Sequence, residues 1–241
     1  MRKTRLPAMA GLFLMAVALQ HPRQAAAHDL WLERGEEATI LYSGHKHSGH
    51  EGAERIEYDP GIVHGALCVR ENGEKTSLEI PSSYPARFPG DCACIHVLTS
   101  SGHWTKTPYG TKNIPRDEAK QAISSWRSVE SVKRIDRWSP KLAGPVSEDL
   151  ELTPLSDPFS LKDGDKLRLL VTFGGKPLSA APVAYDDKTR GETGTDGTIN
   201  IRIRHGSFQI IKASFHEAVK TEKADETIHT ATLVFELEEE E

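Results

Sequence analysis

Three histidines and a glutamate lie close together in a Gly-rich stretch of the chain, residues 42–52. They are His45, His47, His50 and Glu51. Neutral imidazole is a common protein ligand for late first-row transition metals, and a flexible loop allows several rings to converge on one ion. The stretch therefore predicts a transition-metal site, with His45 and His47 on one side if it is extended. A surface loop that holds no fixed metal is the alternative.

A fourth histidine, His28, follows a segment with the three parts of a secretory signal peptide. Residues 1–27 contain a basic start, an apolar run from 8 to 19, and small residues before the expected cut after residue 27. The apolar run is too short to span a bilayer as a helix, which needs about 20 residues. We expect the mature chain to begin at His28 and to be periplasmic or secreted. A retained N-terminal anchor is the alternative.

A mature N-terminal histidine offers a metal ion two ligands at once, its α-amino group and its imidazole ring. The amine has a reference pKa of about 8, so a metal ion displaces its proton at low cost. Together with a second imidazole, this predicts a site of the kind that Ni(II) or Cu(II) accepts. In the alternative interpretation, His28 only begins a strand that continues through Leu30 and Leu32.

Composition and missing motifs exclude several classes of function. Removal of residues 1–27 takes away four basic residues and no acidic ones, which changes the formal net charge from −5 to −9. Such an acidic chain is poorly suited to nucleic acid or anionic lipid, and no second apolar stretch of transmembrane length occurs. The His-Glu-x-x-His, Gly-x-Ser-x-Gly, Gly-x-Gly-x-x-Gly and Walker patterns are absent. We therefore expect a non-enzymatic protein that is not embedded in a membrane after processing.

The three cysteines allow one disulfide in an oxidising compartment and leave one thiol over. Cys68 is expected to pair with Cys92 or with Cys94, because a bridge between residues two apart is strained. Binding of a soft metal by the Cys92/Cys94 pair is the alternative.

Period-two alternation of apolar residues is the main structural signal, and it predicts strands with one face in a core. The clearest cases are residues 167–173, 199–203 and 231–237, separated by Gly-containing turns. Weaker strands are predicted over 39–42, 64–70, 77–80 and 93–99. We expect a mainly β fold with two antiparallel β-sandwich domains of the immunoglobulin or transthyretin type.

One helix is predicted near residues 115–136. Pro115 suits the first helical position, and Ala119, Ala122, Ile123 and Trp126 fall on one face at helical spacing.

A domain boundary is predicted where prolines break regular structure, between residues 139 and 157. After the signal peptide, 1–27, the expected domains are a β-rich N-terminal domain over 28–148 and a C-terminal β-sandwich over 158–238. The N-terminal domain carries the His-rich loop and the predicted helix.

The other histidines of the mature chain are less specific candidates for completing a metal site. They are His64, His96, His103, His216 and His229. Those within predicted strands are more often buried and hydrogen-bonded than bound to a metal.

Several segments together resemble a known bacterial family. They are Ala-His-Asp-Leu-Trp-Leu-Glu at 27–33, Tyr-Ser-Gly-His at 42–45, Trp-Thr-Lys-Thr-Pro-Tyr-Gly-Thr-Lys-Asn at 104–113, and the C-terminal segments 175–178, 195–197 and 231–235. In this order they resemble the periplasmic family associated with nickel and cobalt uptake, catalogued as a domain of unknown function. The second segment departs from the family's Tyr-Gly-His by the extra Ser43. Segments 176–178 and 195–197 also resemble transthyretin-like and carboxypeptidase-regulatory sandwiches.

The resemblance implies periplasmic binding of Ni(II) or Co(II) and delivery to a membrane metal transporter. It carries over His28 and His45 as ligands, whereas His47 and His50 are added from chemistry alone. Cu(II) and Zn(II) are alternative ions, because one set of imidazoles serves several metals.

Two other hypotheses remain open. One is a non-metal β-sandwich module of the cell envelope that binds a protein or glycan. The other is a copper enzyme with an N-terminal histidine site, which requires an open coordination position.

Overall fold

The structure is a computed structural model, and it describes residues 29–46, 54–204 and 207–238. The predicted signal peptide and the predicted ligands His28, His47 and His50 lie outside these described residues. No helix in the described ranges is long and apolar enough to cross a membrane.

The described chain is mainly β, which confirms the predicted fold class. Its first half forms β1 (Asp29–Arg34), β2 (Ala38–Gly44), β3 (Arg55–Ile56), β4 (Val63–Val69), β5 (Lys75–Ser77), β6 (Arg87–Pro89), β7 (Cys94–Thr107), β8 (Gly110–Lys112) and β9 (Ser124–Ile135). Its second half forms β10 (Glu151–Pro154), β11 (Lys166–Phe173), β12 (Lys176–Pro177), β13 (Pro182–Tyr185), β14 (Lys188–Glu192), β15 (Thr198–Arg202), β16 (Phe208–Ala218) and β17 (Glu226–Glu236). Short 3-10 helices cover Pro60–Ile62, Arg116–Glu118, Pro140–Leu142 and Pro158–Ser160.

Within the described residues the strands form three sheets. A nine-stranded sheet has the order β14-β13-β16-β17-β9-β7-β4-β5, with β8 also paired to β7. We call β1, β2, β3 and β6 the N-terminal sheet, and β10, β11, β12 and β15 the C-terminal sheet. On β9, Val132 packs with Leu30 of the N-terminal sheet, whereas Ile135 packs with Leu167 of the C-terminal sheet. Because residues three apart on a strand point to opposite faces, the nine-stranded sheet is the middle layer.

Strands from both predicted domains meet inside the nine-stranded sheet. β9 pairs with β17 in parallel, in a register that runs from Trp126 and Glu226 to Arg134 and Val234. The other strand pairs of the described chain are antiparallel. The predicted ranges 28–148 and 158–238 therefore share one hydrogen-bonded sheet, and the division into two domains stays a prediction.

The helix predicted near residues 115–136 is wrong. One 3-10 turn covers Arg116–Glu118, Gln121 adopts a left-handed φ of 58°, and β9 then runs over Ser124–Ile135. This segment has a partner strand on each side, β7 and β17. Pairing with two neighbouring strands outweighs a weak helical pattern, because tertiary context overrides intrinsic helix propensity. The β-branched residues of this segment also suit a pleated sheet. Ile123, which was assigned to the apolar face of the helix, is 57% exposed.

Most of the predicted strands are confirmed. Residues 167–173, 199–203 and 231–237 correspond to β11, β15 and the second half of β17. Segments 39–42, 64–70 and 93–99 fall in β2, β4 and the start of β7. In the segment 77–80, Ser77 alone belongs to a strand, β5.

Cys68 and Cys92 form a disulfide, which is one of the two predicted pairings. Cys94 is a buried free cysteine, and burial raises the pKa of its thiol to about 12. A thiol of this kind stays protonated at neutral pH and is a poor metal ligand. Cys92 therefore belongs to the disulfide, and Cys94 is a buried, protonated thiol.

A buried ion pair joins the nine-stranded sheet to the C-terminal sheet. The side chains of Lys133 on β9 and Glu151 on β10 are 2% and 0% exposed, and Lys133 Nζ lies 2.6 Å from Glu151 Oε1. The Lys133 ammonium also donates to Thr153 Oγ1 over 3.1 Å. The Glu151 carboxylate accepts hydrogen bonds from the backbone N–H groups of Val146 and Ser147, at 3.0 and 2.9 Å. Both charges are therefore fully partnered inside the core.

The environment keeps Glu151 ionised. Burial by itself would raise the pKa of this carboxyl, but the charge of Lys133 and its hydrogen bonds hold the pKa below the usual value. His96 lies beside this network, with Nε2 3.2 Å from Ser147 Oγ. Burial lowers the pKa of His96, so its ring is neutral at pH 7.

Candidate metal site

The open end of the β1–β2 hairpin carries the described part of the predicted metal site. The hairpin register runs from Arg34 paired with Thr39 to Asp29 paired with Gly44. His45 follows Gly44 directly, so it lies beside the first residue of β1. Of the four predicted ligands, His45 falls within the described ranges, and its side chain is half-buried.

The third strand of the N-terminal sheet pairs with β2 at the same end. Gly44 pairs with Arg55, and the His45 N–H donates to the Glu54 carbonyl oxygen over 3.0 Å. Gly44 has a φ of 147°, and a Cβ there would lie 2.2 Å from that oxygen. Glycine is therefore required for this close approach. The His-rich segment leaves the sheet at His45 and returns to it at Glu54, on neighbouring strands.

His45 and Glu54 lie on the same face of the N-terminal sheet as Leu41. Directly opposite residues of an antiparallel pair have side chains on one face, and residues two apart on a strand share that face. His45 therefore has the same orientation as Leu41, which packs with Leu30 and Leu32 against the nine-stranded sheet. His45 and Glu54 lie at the end of this face, just beyond the apolar cluster that contains Leu41.

Glu33 holds two cations on the other face of the N-terminal sheet. Lys46 forms an ion pair with Glu33 Oε1, and Arg55 Nη2 lies 2.7 Å from Glu33 Oε2. Each cation also lies over an aromatic ring, Lys46 over Phe208 at 4.7 Å and Arg55 over Tyr42 at 4.0 Å. The positive charges of Lys46 and Arg55 are thereby held on the face opposite His45 and Glu54.

Glu33 stays ionised in this position. Burial by itself would raise the pKa of its carboxyl, but hydrogen bonds from Lys46 and Trp31 hold the pKa below the usual value, and the charges of Lys46 and Arg55 contribute in the same direction.

The start of β1 is bound to the nine-stranded sheet through charged groups. Lys212 Nζ on β16 lies 2.8 Å from Asp29 Oδ1 and 2.5 Å from Asp187 Oδ1. Burial by itself would lower the pKa of Lys212, but these two carboxylates raise it above the usual value. Asp29, the residue after His28, therefore has a fixed partner on the middle layer.

Sequence reasoning missed Glu130 on β9, close to Asp29. Burial raises the pKa of Glu130 to about 7, and the charge of Asp29 adds to this rise. The Ser128 hydroxyl donates to Glu130 Oε1 over 3.5 Å, a long hydrogen bond. No local motif marks this residue, and the parity of β9, had the strand been predicted, is the one signal that would have placed it on the same face as Val132.

We expect Glu130 to make the stability of the apo protein fall as pH rises. The folded state holds the Glu130 proton up to a pKa of about 7, whereas the unfolded state releases it near pH 4.3. The favourable contribution is thus complete below about pH 4 and is lost as pH rises through 7. We compare the unfolding free energy of Glu130→Gln with that of the unsubstituted protein at each pH. Between pH 5 and pH 8 this difference should shift in favour of the variant by about 1–3 kcal/mol.

Urea unfolding at the two pH values measures this difference. Glu37→Gln, in the exposed turn between β1 and β2, is the matched control and should show no such pH dependence. Equal effects of Glu130→Gln at pH 5 and pH 8 would contradict the assignment.

The remaining candidate histidines do not gather around His45. His64 is exposed on β4, His96 is buried beside Ser147, and His103 is half-buried on β7. On the β16–β17 pair, His216 Nδ1 lies 3.0 Å from Glu226 Oε2, and His229 Nε2 lies 3.2 Å from Glu217 Oε2. In the described parts of the chain, no group of three or more His, Cys, Asp and Glu side chains forms a metal-binding cluster.

Comparisons with known proteins show the family of the chain. Searches of the curated proteins and of the solved structures each returned no match. A family model described as "Domain of unknown function (DUF4198)" matches residues 25–217. The matched range starts just before His28 and ends in β16, so it contains His45, the disulfide and Glu130. The chain therefore belongs to the DUF4198 family, a domain of unknown function.

Proposed function

We propose that this protein binds a transition-metal ion outside the cytoplasm, as cargo for a membrane metal transporter. Ni(II) and Co(II) are the favoured ions, with Cu(II) and Zn(II) as alternatives. The proposed ligands are the α-amine and imidazole of His28 in the processed chain and the imidazole of His45. His47 and His50, from the segment between β2 and β3, are the further imidazoles.

The register of the β1–β2 hairpin is the observation that carries this proposal. Asp29 pairs with Gly44, so the residue that follows His28 in sequence lies beside the residue that precedes His45. Consecutive Cα atoms of a chain are about 3.8 Å apart, so one covalent step from this pair leads to each histidine. This connectivity supports binding of one ion by the two imidazoles.

The chemistry of the donors fits a late first-row metal. An amine nitrogen and two imidazole nitrogens suit Ni(II), Co(II) and Cu(II) better than Mg(II) or Ca(II), which prefer oxygen. Glu33 draws Lys46 and Arg55 to the opposite face, so these charges do not oppose a cation beside His45. A net charge of −9 for the processed chain further favours the approach of cations.

The decisive experiment masks the α-amine. An untagged protein released from a cleavable fusion with His28 as its first residue is titrated calorimetrically with Ni(II), Co(II), Cu(II) and Zn(II). One glycine added before His28 moves the free amine to another residue, and His45→Ala removes one ring. We expect each change to weaken binding by about 100-fold or more, since even groups behind the ligands contribute 10–100-fold.

His64→Ala is the matched control, because His64 is exposed on β4 and has no proposed role. It should leave the affinity unchanged. An unchanged affinity after the glycine extension would overturn the N-terminal part of the site. If the unextended protein bound no stoichiometric metal, the scaffold hypothesis would replace metal transport, and reductant-dependent substrate oxidation by the copper form would favour the enzyme hypothesis.

A further inference from the structure

Residues 146–149, which we call the latch segment, lie in the connection between β9 and β10. Side chains of the nine-stranded sheet hold this segment in place. Lys75 Nζ on β5 donates to the Val146 carbonyl oxygen over 2.8 Å. His96 Nε2 on β7 lies 3.2 Å from Ser147 Oγ, and the His96 side chain is 2% exposed. The latch segment is therefore attached to an imidazole ring that is buried in the core.

The hydrogen bonds of Ser147 determine which ring nitrogen of His96 carries the proton. The Ser147 hydroxyl has one proton, which it donates to Glu151 Oε2 over 3.0 Å, because an ionised carboxylate only accepts. Ser147 Oγ also accepts from the Asp149 N–H over 3.2 Å. The His96 contact is therefore a hydrogen bond that Nε2–H donates to Ser147 Oγ. In the neutral ring the lone pair is at Nδ1, so a further proton binds there.

The charges around His96 are already balanced while the ring is neutral. Lys133 lies directly opposite His96 on β9, whereas the residue opposite on β4 is the apolar Leu67. The Cys94 thiol, two residues along β7, is uncharged. The charged groups that act on the ring are the ammonium groups of Lys133 and Lys75 and the carboxylates of Glu151 and Asp149. A proton on Nδ1 would thus add an uncompensated positive charge to the core, beside Lys133.

The closed latch segment therefore opposes protonation of the ring. Burial lowers the pKa of His96, and the Asp149 carboxylate, 3.9 Å from Nε2, is too far away for a hydrogen bond. When the latch segment opens, water hydrates the ring and its pKa returns towards the usual value of about 6.5. The open state then binds a proton that the closed state does not, so falling pH favours opening.

We propose that His96 is an acid-sensitive switch: uptake of a proton at Nδ1 releases the latch segment from the nine-stranded sheet, while the sheets themselves stay folded. The proton comes from solvent, and no other group has to change its charge. Glu130, on the opposite face of β9, has the reverse dependence, because its proton stabilises the folded state. Acidic conditions therefore weaken the contacts on one face of the middle layer and not those on the other.

Hydrogen exchange of three backbone amides tests this proposal. The N–H groups of Val146 and Ser147 donate to Glu151, and that of Asp149 donates to Ser147 Oγ. We expect their opening equilibrium, corrected for intrinsic exchange rates, to rise about 10–30-fold from pH 7.5 to pH 5. This rise follows if the ring titrates near pH 6.5 only in the open state. Amides within β11 should show no such rise, because the opening is local.

Two variants assign the pH dependence to one ring. In His96→Gln the side-chain amide can still donate to Ser147 Oγ, but it takes up no proton between pH 5 and pH 7.5. This variant should lose the pH dependence, whereas His64→Gln, at an exposed residue of β4, should retain it. NMR titration of the His96 ring in the unsubstituted protein is an independent measurement and should give a pKa below 6.5.

Four outcomes would overturn the switch. They are exchange of the three amides that does not change with pH, the same pH dependence in His96→Gln, an equal rise throughout β11, and a His96 ring that titrates at or above pH 6.5. The NMR titration and the exchange of the unsubstituted protein decide the matter even if His96→Gln does not fold.

Discussion

Replacing Lys133 with methionine is expected to lower the free energy of unfolding by about 3–5 kcal/mol. Lys133 and Glu151 are both buried, and the substitution leaves the Glu151 carboxylate charged inside the core without its cation. Desolvation of an unpaired carboxylate is the main cost, because the methionine side chain replaces most of the lysine stem. Urea unfolding followed by tryptophan fluorescence measures the loss.

A second substitution identifies the cause of this loss. In the double variant Lys133→Met/Glu151→Gln, the amide oxygen still accepts the N–H groups of Val146 and Ser147, but no charge remains. We expect it to recover at least half of the lost stability. Arg168→Met, which breaks the exposed Arg168–Asp196 pair, should cost at most about 1 kcal/mol. A double variant no more stable than Lys133→Met would rule out the isolated charge as the cause.

Replacing Trp31 with alanine is expected to cost about 3–5 kcal/mol of stability. Trp31 is 0% exposed and packs with Ile210 of β16 and Val234 of β17, so it joins the first strand to the middle layer. Its indole N–H also donates to Glu33 Oε1 over 2.9 Å, and this bond is lost as well. The substitution creates a cavity between two sheets that relaxes only in part.

Two further variants calibrate this prediction by the same urea unfolding measurement. Trp31→Phe keeps most of the apolar volume and should cost less than half as much as Trp31→Ala. Tyr109→Ala, at a residue that is 83% exposed on the β7–β8 hairpin, should change stability by no more than about 0.5 kcal/mol. A loss below about 1 kcal/mol for Trp31→Ala would contradict the packing of β1 on the nine-stranded sheet.

The strands of the second half were predictable because their surroundings are regular. In β11, alternate residues are apolar and buried in the core, and most of the residues between them are more exposed. This period-two alternation can be recognised from the sequence alone. β9 lacks this contrast, because both of its faces are covered by other sheets and Lys133 and Arg134 are buried. Its pattern mixes charged and apolar residues, and the whole range 115–136, which includes β9, was therefore predicted as a helix.

The disulfide pairing was likewise predicted in part by the sequence and decided in part by the fold. Composition and compartment predict one bridge, and they leave Cys92 and Cys94 as equivalent partners for Cys68. The register of β4 and β7 places Cys94 opposite Val69, with its thiol buried in the cluster that faces the C-terminal sheet. Cys92 lies before the start of β7 and reaches Cys68 on the other side. The face to which each cysteine points therefore determines that Cys68 pairs with Cys92 and not with Cys94.

The sequence by itself determined the chemical types available for a metal site, since histidines at positions 28, 45, 47 and 50 require no fold to be recognised. It also determined that the chain is mainly β, because alternation is a local property. Only the tertiary structure decided that His45 lies beside the start of β1, that Glu54 lies opposite it, and that Glu130 lies near Asp29. These are relations between strands distant in sequence, and the register that sets them depends on packing of whole faces rather than on any local pattern.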